Sequence, residues 1–183
     1  MSAADWIAHY SGGLARCGVL LREPALAAAT EDHLAIVKSA GPVNAVVCHS
    51  DLHCQNLLVC PPAAPSGAAG TGGHVGEGGG AGAQARLVLL DWEYSHVSDP
   101  FWDVVGWAGN NDWPMTRTEA LLSVYLQRTP SATELRRLSA LAWLYDYVCL
   151  LWSQLYVNLR DGPDGPSVSR RAEQLNERLR SLR

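Results

Sequence analysis

Apolar positions along the chain keep two different rhythms, and each predicts its own kind of element. From Leu138 the residues Leu141, Leu144, Tyr145, Val148, Leu151, Trp152, Leu155, Tyr156 and Leu159 recur at steps of three and four, the stripe of one long helix. Ser131 is placed to cap its start, with Glu134 three residues later completing a capping box. Asp161-Gly162-Pro163 is the matching stop signal. Alanine- and leucine-rich stretches predict helices over residues 2–16 and 24–39, and Glu119–Gln127 a shorter one after Pro114 and Thr116. Residues 167–182 alternate in charge and predict a polar terminal helix with a solvated face.

The second rhythm is short and β-branched. Ala45–Cys48, Asn56–Cys60 and Arg86–Asp91 are apolar runs bounded by Pro, Gly or polar residues, and they predict strands. Between the second and third lies the low-complexity tract 61–84, PPAAPSGAAGTGGHVGEGGGAGAQ, with almost nothing that can pack. It carries no phosphate-loop pattern and no following Lys, so it reads as a flexible insertion in an overgrown hairpin loop. Length added there is tolerated, because loop-closure entropy grows only with the logarithm of loop length. The expected architecture is α+β and mostly helical: one domain over residues 1–183 built around a small β-hairpin unit.

Composition narrows the function classes. With 183 residues, 48% hydrophobic and 17% charged, the chain has enough apolar material for a core and too little charge for wholesale disorder. A net charge of −4 supplies no basic stripe for nucleic acid. The cationic residues are thirteen Arg and a single Lys, Lys38, which excludes any chemistry needing several lysines. Residues 138–160 are the most apolar long segment, but Asp146, Ser153, Gln154 and three tyrosines mark a buried helix and not a membrane span. MSAADWIAHYSGG has no basic start followed by an apolar stretch, so no export signal is expected there. The five cysteines (17, 48, 54, 60 and 149) form no C-x-x-C pair and read as reduced, mostly buried thiols of a cytoplasmic protein.

Two segments carry chemistry. His49-Ser50-Asp51-Leu52-His53-Cys54-Gln55-Asn56 is an H-x-D-x-x-x-x-N pattern between two strands, and Leu89-Leu90-Asp91-Trp92-Glu93 places a carboxylate at a strand end. Phosphoryl transfer to a hydroxyl needs a carboxylate beside the attacking oxygen, plus a neutral oxygen ligand and a second carboxylate holding Mg²⁺ against the phosphates. Asp51 fits the first role, Asn56 the second and Asp91 the third, and hard oxygen donors are what Mg²⁺ takes. His49 reads as a structural prop of the loop. Singly, each residue has a bland turn or cap reading; the ordered set is much harder to reach by chance.

CHSDLHCQNLLV followed by LLDWEYSHVSDPFWDVVGW resembles the aminoglycoside phosphotransferase and choline kinase group, with a protein-kinase-like fold, and within it the bacterial choline/ethanolamine kinases. The resemblance spans about residues 40–160, with its strongest motifs at 49–56 and 91–103. It implies Asp51 as catalytic base, Asn56 and Asp91 as Mg²⁺ ligands, and ATP as co-substrate. Glu93 is implied as an auxiliary carboxylate and Asp103 as a brace of the catalytic loop. Tyr94 and Trp152 are implied as aromatic contacts for a cationic substrate, the quadrupole of a ring face attracting a cation that donates no hydrogen bonds. Leu155 stands where a second tryptophan is expected and Asn110 where a substrate-facing Glu is expected, with Asp112 placed to compensate. Core packing is the competing reading for Trp143, Trp152 and Tyr156.

The same resemblance implies a glycine-rich N-terminal lobe, and nothing before residue 40 reads as one. The chain is therefore expected to be a C-terminal lobe: a truncated product, a fragment, or one half of a split enzyme whose other lobe is supplied in trans. Alternatives are a thiamine or aminoglycoside kinase, or a catalytically incompetent pseudokinase-like binding module. Between Ser131 and Leu159 only Glu134 and Asp146 are acidic, which is thin for a polycationic acceptor.

Overall fold

The computed structural model describes residues 1–19, 23–61, 85–159 and 165–181. The 61–84 tract beyond Pro61 up to residue 84, and the Asp161-Gly162-Pro163 stop, lie outside the described residues. The order of elements is α1 (Ala3–Arg16), α2 (Pro24–Ser39), β1 (Val46–Cys48), a short 3-10 turn (Cys54–Asn56), β2 (Leu57–Cys60), β3 (Arg86–Leu89), β4 (His96–Ser98), α3 (Phe101–Asn110), α4 (Met115–Leu126), α5 (Ala132–Leu159) and α6 (Gly165–Ser181).

Helix α5 is the spine. At 28 residues it runs about 42 Å at 1.5 Å per residue, and α1, α2, α3, α4 and α6 all pack on it. Between Arg137 and Ser153 it buries residues on every side, so its periodic stripe widens into a helix enclosed by others. Its start has the expected capping box: the Glu134 N–H reaches Ser131 Oγ at 3.3 Å and the Ser131 N–H reaches Glu134 Oε2 at 2.8 Å. Arg128 pairs with the same carboxylate, and these contacts hold the Glu134 pKa down at about 2. Helix α1 has a second capping box, between Ser2 and Asp5. It approaches α5 closely at Gly13, where a Cβ would lie 2.8 Å from Leu155 Cδ2. Leu155 thus faces α1, and the side chain standing in for a second tryptophan serves helix packing.

Two helices depart from expectation. Helix α6 is not a merely solvated rod, because Ala172, Leu175 and Leu179 are buried, the last two at 1% and 0% exposure, and it packs against α5. Three apolar positions spaced three and four apart make a sufficient stripe within a sequence dominated by charge. Helix α4 begins at Met115, directly behind an extended Pro114, and not at Glu119.

The hairpin is formed as expected: β2 and β3 pair antiparallel from Leu57↔Leu89 to Cys60↔Arg86. A second ribbon was not expected; β4 pairs antiparallel with β1, Val46 opposite Ser98 and Cys48 opposite His96. Three residues, His-Val-Ser, are too short to show an alternating pattern. No helix among the described residues is long and apolar enough to cross a membrane.

One buried ion pair ties the ribbons to the spine. Arg137, 7% exposed, donates from Nε to Asp99 Oδ2 at 2.6 Å and from Nη1 to the Gly41 carbonyl at 2.8 Å. Asp99 Oδ1 accepts the Phe101 N–H at 2.9 Å, and its carbonyl accepts the Cys48 thiol at 3.3 Å. Removing one member of such a pair strands the other charge. Arg137→Ala is therefore expected to lower unfolding free energy by about 3 kcal/mol in urea titration; a loss below about 1 kcal/mol contradicts that account.

The thiols are free but less buried than expected: Cys48 is buried, Cys60 and Cys149 are partly covered, and Cys17 and Cys54 are exposed. Burial pushes the Cys48 and Cys149 thiols up to about 12. A disulfide reagent at pH 8 is expected to modify Cys17 and Cys54 rapidly, and Cys48 and Cys149 only after denaturation. Fast reaction of four or five thiols in the folded protein contradicts this.

Candidate active site

Strand β1 ends at Cys48 and delivers a loop whose backbone is fixed from three sides. The His49 and Ser50 N–H groups donate to Asp103 Oδ2 and Oδ1, each at 2.8 Å. Asp103 sits in the first turn of α3, where the positive end of the helix favours a carboxylate. The His49 ring, 1% exposed, lies 2.7 Å by Nε2 from the Leu90 carbonyl and 3.3 Å by Nδ1 from the Asp51 N–H. Since a carbonyl only accepts, the ring proton is assigned to Nε2, and Nδ1 accepts from Asp51. On the third side, Ser50 Oγ lies 3.0 Å from His96 Nδ1. Ser50 itself is left-handed at φ +69 and Asp91 at φ +61, conformations costing about 1–3 kcal/mol each in residues other than glycine.

Asn56, 7% exposed, donates from Nδ2 to the Asp51 carbonyl at 3.0 Å and to Asp51 Oδ2 at 3.3 Å. His53 Nε2 lies 3.5 Å from the same carboxylate oxygen. The Asn56 carbonyl accepts the Leu90 N–H at 2.9 Å, one step beyond the Leu57↔Leu89 pair. This brings Asp91, the next residue, to the end of the hairpin that holds Asn56. With Nδ2 turned to Asp51, the amide leaves Oδ1, the atom a hard cation takes, outside those bonds. Asp91 is exposed. An amide oxygen and an exposed carboxylate near one hairpin end are the hard-donor types that Mg²⁺ takes, and Mg²⁺ keeps most of its waters and needs few protein ligands.

Asp51 borders a cavity of about 300 Å³ whose other walls are largely aromatic: Trp6 and Tyr10 from α1, Tyr94, Trp102 from α3, and Trp152 from α5. Both aromatic residues singled out for substrate contact, Tyr94 and Trp152, therefore share a cavity with Asp51. Trp143, by contrast, is core at 2% exposure. Burial raises the Tyr94 phenol above its ordinary range, the Glu93 charge adding to it. Glu93 itself is exposed and outside the cavity lining.

Sequence reasoning missed Trp6, Tyr10, Tyr145 and Arg171, all of which border the cavity. Trp6 and Tyr10 are one helical turn apart, a spacing that signals an apolar face and no more. Nothing local marks Arg171. Asn110 borders the cavity too, and its amide donates to the Leu52 carbonyl and the Tyr145 hydroxyl, both at 3.0 Å.

Asp112 does not compensate for that amide. Its carboxylate, held below the usual range by Arg171, accepts from Arg171 at 2.8 Å and Arg178 at 3.3 Å, outside the cavity lining. Arg171 also donates to the Gly109 carbonyl at 2.8 Å. Among the described lining residues, Asp51 is the sole carboxylate.

These elements define a mostly helical α+β chain with a choline kinase-like fold. The chain is similar in structure to a choline/ethanolamine kinase family protein from Mesorhizobium loti, with a TM-score of 0.69 and 22% sequence identity over 100% of this chain. It spans 54% of the length of that protein. No protein-family model and no curated protein matches the sequence.

The Asp103 bonds predict a measurable dependence. Asp103→Ala leaves the His49 and Ser50 N–H groups without their charged acceptor and is expected to cost about 3 kcal/mol of stability, with Asp103→Asn, which keeps one acceptor oxygen, about half as damaging. Equal stability of all three proteins in denaturant titration is the contrary result.

Proposed function

We propose that this chain carries the catalytic residues of a kinase that transfers the γ-phosphoryl of ATP to a hydroxyl of a small, cationic molecule such as choline or ethanolamine. The observation that carries the reading is the setting of Asp51: a carboxylate bonded by the Asn56 amide on one side and bordering an aromatic cavity on the other. Asp51 orients the acceptor hydroxyl and takes its proton. His49 and Asp103 keep the loop in its left-handed turn so that the carboxylate stays aimed. The faces of Tyr94 and Trp152 hold the cationic group.

Asn56 and Asp91 would hold Mg²⁺, which when bound neutralises charge on the phosphates. Glu93 is an auxiliary carboxylate beside them in sequence. A polycationic aminoglycoside suits the cavity less well than a monocation, since one lining carboxylate faces it and Arg171 stands in the wall. The proposed setting is the cytoplasm, in keeping with five unpaired thiols.

The nucleotide-covering lobe is proposed to come from outside these residues, in a longer chain or in trans. Val47, Val59, Leu87 and Val97, each 59% exposed or more on the two ribbons, supply an apolar face for it. Because the chain spans 54% of its structural relative, a non-catalytic binding module is the second reading.

Calorimetry separates the two. The phosphotransferase reading expects Mg·ATP binding that requires the metal and is lost in Asp91→Ala, with transfer to choline or ethanolamine falling about 10²–10⁴-fold in Asp51→Ala. Wild-type turnover in Asp51→Ala removes the base assignment. Nucleotide binding absent, or indifferent to both Mg²⁺ and Asp91, favours the binding module.

A further inference from the structure

We infer that Trp6, on helix α1 and outside every motif of the catalytic region, is a specificity-determining residue that distinguishes a cationic acceptor from a neutral one of the same shape. The inference rests on reading the aromatic cavity as the acceptor site.

Trp6 is half-buried and borders that cavity together with Asp51, Tyr94 and Trp152. Its ring stacks on Tyr10 at 5.6 Å and 13°, meets His96 edge-on at 5.4 Å, and lies 6.3 Å from Tyr94 at a 56° tilt. These partners come from α1 and from the Tyr94–His96 stretch behind the catalytic loop. The indole N–H makes no hydrogen bond, so ring packing alone orients the side chain. A residue needed only as filler could be any large apolar group. What Trp adds is the most negative face of any side chain, and a desolvated cation gains from that face where a neutral isostere does not.

Charge in the wall strengthens the argument. With Asp51 the sole carboxylate among the described lining residues, and with Arg171 also in the lining, carboxylates provide little counter-charge. Aromatic rings therefore have to supply much of the attraction, and Trp6 adds an indole to the wall from an element that the Tyr94 and Trp152 positions do not include.

The test compares choline with 3,3-dimethyl-1-butanol, its uncharged isostere, by calorimetry on the full chain. Expected for Trp6→Leu is about a tenfold loss of choline affinity with the isostere changed less than twofold, and for Trp6→Phe about a threefold loss for choline alone. Equal weakening of both ligands makes Trp6 a packing residue and overturns the inference, as does unchanged choline affinity. If Trp6→Leu fails to fold, judged by circular dichroism, Trp6→Phe decides on the same criterion. Wild-type protein that binds neither compound removes the cationic-acceptor reading and this inference with it. Wild-type binding of choline that Trp6 variants leave intact removes the inference alone.

Discussion

Two hydrogen bonds from the backbone of His49 and Ser50 to the Asp103 carboxylate hold the His49–Asn56 loop in a shape it would not otherwise keep. Ser50 is left-handed without being glycine, a conformation that costs about 1–3 kcal/mol. Two charge-assisted bonds, each contributing about 1.5–3 kcal/mol, outweigh that strain. The carboxylate is itself favoured where it stands, in the first turn of α3. The aim of Asp51 thus depends on a helix start fifty residues away in sequence, and so does the approach of β1 to α3.

That helix start is held in turn by the spine. Asp99 bonds the Phe101 N–H at the head of α3 and accepts from the buried Arg137 of α5. Arg137 also caps the Gly41 carbonyl ahead of β1. A buried pair adds little net stability over a well-packed apolar substitute. Its value lies in geometry: each of its bonds admits one arrangement of α3, β1 and α5, whereas apolar contacts tolerate sliding. Leu138, Leu141 and Leu144, each 2% exposed or less, supply the burial that drives the helices together, and the polar contacts select the register in which they meet.

Much of the scaffold was legible in the sequence because it is written in local terms. The capping box at Ser131 and Glu134, the periodic stripe of α5 and the short apolar runs of β1, β2 and β3 each depend on neighbours a few residues away. The order of Asp51, Asn56 and Asp91 was readable for a related reason: the first two share one loop, and Asp91 follows a strand paired with the one that Asn56 precedes. Strand β4 was not, since three residues carry no period and their strand character comes from β1. The docked face of helix α6 went unread because its charges outnumber the three apolar residues that dock it. Trp6 and Arg171 were invisible as cavity residues, since α1 and α6 bring them there through packing on α5, which no local pattern encodes.

The charges around the cavity form a single balance. Arg171 would leave a bare cation in the wall were it not bound by Asp112, whose carboxylate is held ionised there and whose backbone is left-handed at φ +51. Arg178 shares that carboxylate and also pairs with Asp146, whose burial pushes its own pKa upward against the pull of the arginine. Two arginines and two carboxylates thus largely cancel one another along the junction of α3, α5 and α6. Asp51 is left as the lining carboxylate not paired with an arginine, beside rings whose attraction for a cation does not depend on net charge. A cavity arranged this way keeps one carboxylate free of arginine partners in its wall. The rest of the wall is largely apolar and aromatic, and packing on α5 is why residues as far from the His49–Asn56 loop in sequence as Trp6 and Trp152 line the same cavity.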